Sequence, residues 1–266
     1  MKLIYQIFST VKTESPVLYY VVLAHLLLGA LTFVALLIDS RTLLGVNVWL
    51  KPFKFCVSGA IYIITLGYFM TLYPYSKIKK ALFGHLVAWT LLVELLIIIF
   101  QGARGVQSHY NMNTAINGLL FAAMGILIGI NVVIMLIFLI DTIRLKMKTE
   151  RSIQIAILFG WVILIVGSWI GGQMISQMSH TVGMASHGEG LPLVNWSTVA
   201  GDLRVAHFFG LHGLQIIPLL AFWLHKKTFV SNKNQVILIS SIAIFYASFI
   251  GYIFHQAKQG LPFLSI

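Results

Sequence analysis

The chain has 266 residues, of which 59% are hydrophobic and only 9% charged, and its mean hydropathy is +0.91. That balance excludes an ordinary water-soluble surface and leaves no room for a separate soluble domain. The excess of 18 Lys and Arg over 7 Asp and Glu, a net charge of +11, would suggest nucleic acid in a soluble protein. Here no basic stripe interleaved with aromatics occurs, so nucleic acid is not an expected partner, and the cations read as loops facing anionic lipid.

In chain order, Met1 to Ser15 holds only a short apolar run, too brief for a signal-peptide core. Continuous apolar runs then predict seven transmembrane helices near 17–38, 55–75, 81–101, 118–140, 153–176, 205–224 and 236–254. Each is about the 20 residues that a helix rising ~1.5 Å per residue needs to cross a bilayer. Strands are not expected in these runs, because the apolar residues do not alternate and backbone in lipid must satisfy its own hydrogen bonds. The expected fold is all-α, a single transmembrane domain over 1–266.

Seven crossings place Lys2, Lys12, Lys77, Lys79, Lys80, Arg144, Lys146, Lys148, Arg151, Lys226, Lys227 and Lys233 on one side. The other side receives Arg41, Lys51, Lys54, Arg104, Arg204 and Lys258. The 12 to 6 split predicts a cytoplasmic N-terminus and an extracytoplasmic C-terminus. The lone Cys56 excludes an internal disulfide and a cysteine-based zinc site.

The two sides differ in chemistry. The inner loops are lysine runs and the inner halves of the spans are nearly free of polar residues, whereas the outer loops are dense in His, Arg, Gln and Asn. Lys54 and Ser58 share a face one turn apart, with Lys51 a turn earlier. Glu94 is the one carboxylate well inside a span, where a charge costs about 2.5 to 3.5 kcal/mol on insertion scales. It is expected to face inward, either protonated or paired with Lys54 or an arginine. Gln101 follows seven residues later on the same face, and Arg104, Ser108, His109 and Asn111 form the mouth above it.

Gln173 ends the fifth span, before a long Gly- and His-containing loop that suggests a lid. Ser197 or Thr198 is the expected N-cap of the sixth helix. On that helix Arg204, His207, His212 and Gln215 share one broad face, and Asp202 points elsewhere. Gln256 lies in a polar sector of the last span. A short echo, Gln101–Gly105 against Gln256–Gly260, raises an internal repeat, for which five residues alone are poor support.

His109, His180, His187, His207, His212 and His255 all fall on the outer side, which suggests a shared site. His109, His207 and His212 are the candidate ligands of a transition metal or haem iron, although the five-residue spacing of the last two is poorer for one ion than an i, i+4 pair. The cations suit an anion equally well. No nucleotide loop, Ser-His-Asp order, HExxH or CxxC is present. Three functions are therefore open: a redox or metal-dependent protein acting on a lipid-soluble substrate, a transporter or binder of a small anionic solute with Glu94 exchanging a proton, or a subunit held by a membrane-protein partner.

The segments WLKPFKFCVS (49–58), QGARGVQSHYN (101–111) and LPLVNWSTVAGDLRVAHFFGLHGLQIIPL (191–219) resemble a family of uncharacterised bacterial multi-pass membrane proteins. The resemblance implies the bacterial cytoplasmic (inner) membrane and brings no activity with it.

Overall fold

A computed structural model describes residues 2–184, 190–226 and 230–265, with only the backbone described at Lys2 and Leu3. It is helical. Among the described residues seven helices are long and apolar enough to cross a membrane: α2 (Pro16–Ile38), α3 (Leu50–Leu72), α4 (Lys77–Ala103), α5 (Ala115–Arg144), α6 (Arg151–Ser176), α7 (Leu203–His225) and α8 (Asn232–Lys258). Six of the predicted spans lie wholly on these helices, and the second, 55–75, runs three residues past the end of α3.

Two features of the loops were not expected. Residues Lys2–Glu14 form a further helix, α1, amphipathic and too short to span. Val11 is fully buried and packs onto Gly67 of α3, Glu14 pairs with Lys80 at 2.9 Å, and Ile4 and Tyr5 stay exposed. Two-residue strand pairs, Thr42–Leu43 (β1) with Val46–Asn47 (β2) and Thr181–Val182 (β3) with Gly201–Asp202 (β4), precede α3 and α7. In the first, Leu44 and Gly45 both take positive φ, 53° and 80°, as a two-residue hairpin turn of the mirror type requires.

The chain divides into two compact units, residues 1–134 and 135–266, with α5 beginning in the first and ending in the second. In the first unit α2, α3 and α4 pack against one another and α1 lies on α2 and α3. The α2–α3 seam is closed by small residues: Gly29 faces Cys56, and Gly59 faces the His25 ring. In the second unit α6, α7 and α8 form a bundle whose α6–α7 seam is tighter still. A Cβ added to Gly167 would lie 2.7 Å from the backbone of Gly210, so the two helices meet backbone to backbone.

Helix ends follow ordinary capping chemistry. The Ser76 and Ser231 hydroxyls accept from the backbone N–H groups of Lys79 and Asn234 and so start α4 and α8. Asp202, not Ser197 or Thr198, caps α7 by accepting from Arg204 N. Ser197 lies too early, and its hydroxyl instead accepts from Val199 and Ala200 in the turn before the helix.

The lysine-loop end of the second unit is more polar than its sequence suggested. Buried Gln154 donates to the carbonyls of Thr142 and Leu145, and buried Ser152 donates to Gln235. The Gln154 amide thereby satisfies carbonyls left open where α5 ends.

Candidate functional site

In the first unit, the end opposite Lys77–Lys80 gathers a connected polar set. Lys51, on the first turn of α3, donates to His109 Nδ1 at 3.1 Å, and Ser108 Oγ stands at the same distance from that nitrogen. An ammonium has only hydrogens to give, so Nδ1 is an acceptor and the ring carries its proton on Nε2. The imidazole is held by aromatic neighbours, Phe55 at 6.0 Å, Tyr110 at 6.0 Å and Phe121 at 6.2 Å between ring centroids. Tyr110 adopts φ 60°, a left-handed conformation that costs a non-glycine residue roughly 1–3 kcal/mol and that cast the His109 loop in this shape.

Glu94 lies deeper on α4 and is 9% exposed. Among the described residues no donor reaches its carboxyl group, and the Lys51 ammonium acts on it through space. Among the described residues Glu94 forms no ion pair, with Lys54, an arginine or Lys51; Lys51, a turn before Lys54 on α3, acts on it through space alone. One turn below, Thr90 accepts from Asn131 of α5 at 2.7 Å, leaving the Asn131 side-chain oxygen buried without a donor, as is the Tyr62 hydroxyl on α3. Unpaired groups of this kind are rare inside proteins and need a reason.

Above Glu94, buried Gln101 donates to buried Asn117, and Arg104 donates to both, at 2.7 and 3.1 Å. Arg104 also covers the Phe100 ring at 5.3 Å. These bonds tie the end of α4 to the start of α5. Buried Asn111 accepts from Asn113 N and donates to the Gln107 carbonyl, so it shapes the loop. Half-buried Lys54 lies one turn after Lys51, and Ser58 is exposed, with its hydroxyl on the Phe55 carbonyl of its own helix.

Beside this set, Asp39 and Arg41 form an exposed clamp. The Arg41 guanidinium first, then the Trp49 indole N–H, hold the Asp39 carboxyl below the usual carboxylate range. Arg41 also donates to the last carbonyl of α4, at Ala103, where a cation suits the negative end of the helix.

The second unit holds the remaining predicted residues in a different manner. Arg204 clasps fully buried Asp202 through three side-chain hydrogen bonds from Nε and Nη2 and also donates to the Asn195 carbonyl, so the two side chains that the helix geometry set apart are joined. His207 Nδ1 donates to the Gly167 carbonyl at 2.7 Å, with its ring against Gly171. His212 sits edge-on to Phe208 at 4.4 Å and is hydrogen-bonded to Gln215. Gln256 donates to the Pro262 carbonyl at 2.7 Å. Gln173 is half-buried at the end of α6. His187 falls outside the described residues.

Within the first unit, then, Ser108 and His109 share one place with Lys51, whose charge also acts on the deeper Glu94, and Gln101 and Arg104 share another with Asn117. Among the described residues no three His, Cys, Asp or Glu side chains converge as metal ligands. Sequence reasoning missed Asn117, Thr90, Asn131 and Tyr62. The two asparagines were findable, as isolated amides fourteen residues apart, and so on one face, of an otherwise apolar helix. Comparison with known proteins adds no assignment: no family model, curated protein or solved structure matches the chain.

Proposed function

We propose that this multi-pass membrane protein binds a small organic anion at the extracytoplasmic end of its first unit, and that binding is coupled to protonation of Glu94. The observation that carries this reading is the state of Glu94: a buried residue whose carboxyl group has no hydrogen-bond donor and no ion pair among the described residues, within the field of the Lys51 ammonium.

An ion at this depth is tolerable only when paired. An anion that reaches Lys51 and the Ser108 hydroxyl places a second negative charge in the field of the ammonium that acts on Glu94. If Glu94 takes a proton as the anion arrives, the charge inside the site is unchanged, and neither ion is left unpaired. The Phe55, Tyr110 and Phe121 rings offer an apolar wall, which suits a carboxylate with a hydrophobic body better than a bare inorganic ion. The placement at the extracytoplasmic side rests on the 12 to 6 division of cations, and the inner membrane of a bacterium on the resemblance of the three segments.

Benzoate is a suitable probe. Equilibrium binding to the purified protein is expected for the wild type and lost by at least tenfold for Lys51→Met; equal binding by both would refute the assignment of the site. The metal reading has less support, because among the described residues no three His, Cys, Asp or Glu side chains converge as ligands. Metal analysis and an absorption spectrum of the purified protein test it independently.

A further inference from the structure

We propose that the two units are diverged copies of one three-helix bundle, and that three phenylalanines in the second copy occupy the positions that form the ligand site in the first.

The third helices establish the register. Helices α4 and α8 both have 27 residues. Ser76 and Ser231, 155 positions apart, cap them through the same N–H, three residues on. At the other end, at that same separation, Gly105 and Gly260 take φ 69° and 78°. In each case the following residue, Val106 or Leu261, donates back to the carbonyl of Gln101 or Gln256, which completes a Schellman cap. The echo in the sequence is thus the visible part of a shared helix end. At this register five of the six buried positions of α8, namely Ile239, Ala243, Ile250, Ile253 and Ala257, fall on buried positions of α4.

The other two pairs follow from helix crossings. In the first unit Gly29 of α2 faces Cys56 of α3, and Gly59 of α3 faces His25 of α2. In the second, Gly167 of α6 faces Gly210 of α7, and Gly213 of α7 faces Ile163 of α6. A shift of 138 residues carries Gly29 and His25 onto Gly167 and Ile163, and a shift of 154 carries Cys56 and Gly59 onto Gly210 and Gly213. Both contacts map at once. The first shift also pairs the last residues of α2 and α6, and superposes five of the six buried positions of α2 on buried positions of α6. The second does so for six of the eight in α3. Each unit, moreover, places a two-stranded pair between its first and second helices. Because four spans separate the starts of α2 and α6, both copies enter the membrane from the same side, which makes this a parallel repeat.

The same shifts place Glu94 opposite Phe249, Ser108 opposite Phe263, Phe55 opposite Phe209 and Lys51 opposite Val205. The three phenylalanines touch one another, with Phe209 at 5.2 Å from Phe249 and 6.3 Å from Phe263, and Phe249 at 6.5 Å from Phe263. Positions that converge as a polar site in one copy converge as an aromatic plug in the other. The repeat stands on the packing alone; the reading of the plug as a closed site rests on the function proposed above.

Spin-label distances decide the matter. In a Cys56→Ala background, cysteine pairs at Leu31 and Leu82 and at Val57 and Leu82 are compared with their counterparts at Trp169 and Ile237 and at Leu211 and Ile237. Equivalent pairs are expected to give distributions whose maxima coincide within the width of the label's own spread. Maxima that differ by about 10 Å, a helix diameter, would overturn the repeat. Since Leu31, Leu82, Trp169 and Ile237 are exposed, the labels leave the core intact. The closed site has a separate readout: Glu94→Phe is expected to fold, with its melting temperature within a few degrees of wild type and benzoate binding lost. A Glu94→Phe protein that folds and still binds benzoate overturns the closed site and leaves the repeat standing.

Discussion

The first and second units solve the same packing problem with different seams. In the first, α2 and α3 are separated by side chains, Gly29 against Cys56 and Gly59 against the His25 ring; in the second, α6 and α7 meet at Gly167 and Gly210 with no side chain between them. The looser seam accompanies the polar set around Lys51 and Glu94, and the tighter one accompanies the aromatic cluster of Phe209, Phe249 and Phe263. A bundle in lipid cannot rely on the hydrophobic effect between helices, so close packing holds it together, and a site can be opened only where that packing is relaxed.

The largest expected effect is therefore at the buried clamp of the second unit. Removing Arg204 as Arg204→Met leaves the fully buried Asp202 carboxyl without its cation and costs about 3–5 kcal/mol, read as a drop in thermal stability. If the melting temperature is unchanged, Asp202 does not depend on this pair. Next come the seams. Gly167→Leu drives a side chain into the backbone of Gly210 and is expected to cost about 1–3 kcal/mol or more, whereas Gly29→Ala, whose added Cβ would lie 3.3 Å from that of Cys56, costs less. Equal losses for the two would show that the seams do not differ as described.

A smaller effect is expected at the mouth of the first unit. Gln101→Leu removes one bond from Asn117 and one from Arg104 while leaving those two bonded to each other, and is expected to cost about 1–3 kcal/mol. Hydrogen exchange should rise at the α4 end and the start of α5, with the second unit unaffected. The smallest is the exposed clamp of Asp39. Its carboxyl is held below the usual range in the folded state, so it stabilises the fold at pH above that range, and the contribution disappears as pH falls through the lowered value. Asp39→Asn should lower stability at neutral pH and converge with the wild type at acid pH, so that the acid limb of its pH–stability curve is flatter; equal stability of the two proteins at neutral pH would contradict the pairing.

Much of this was legible in the chain. Span lengths and the lysine loops give seven helices, because hydrocarbon thickness and backbone hydrogen bonding leave few alternatives. Helix α1 was not, since thirteen amphipathic residues without a strong cap resemble a failed leader as much as an interfacial helix. Glu94, His109 and Arg104 stood out by their cost in lipid, but their partners Lys51 and Asn117 are set by contacts 58 and 13 residues away along the chain, which local periodicity does not encode. The same holds for the repeat. Only the shared cap at Gln101 and Gln256 leaves a trace in sequence, while the coincidence of buried faces requires the packed helices.

The most direct test of the central claim is the number of protons taken up when benzoate binds, measured by calorimetry in buffers of different ionisation enthalpy on the full-length protein. The account predicts one proton per anion for the wild type and none for Glu94→Gln, with binding retained in that variant. Benzoate bound by the wild type without proton uptake would contradict it.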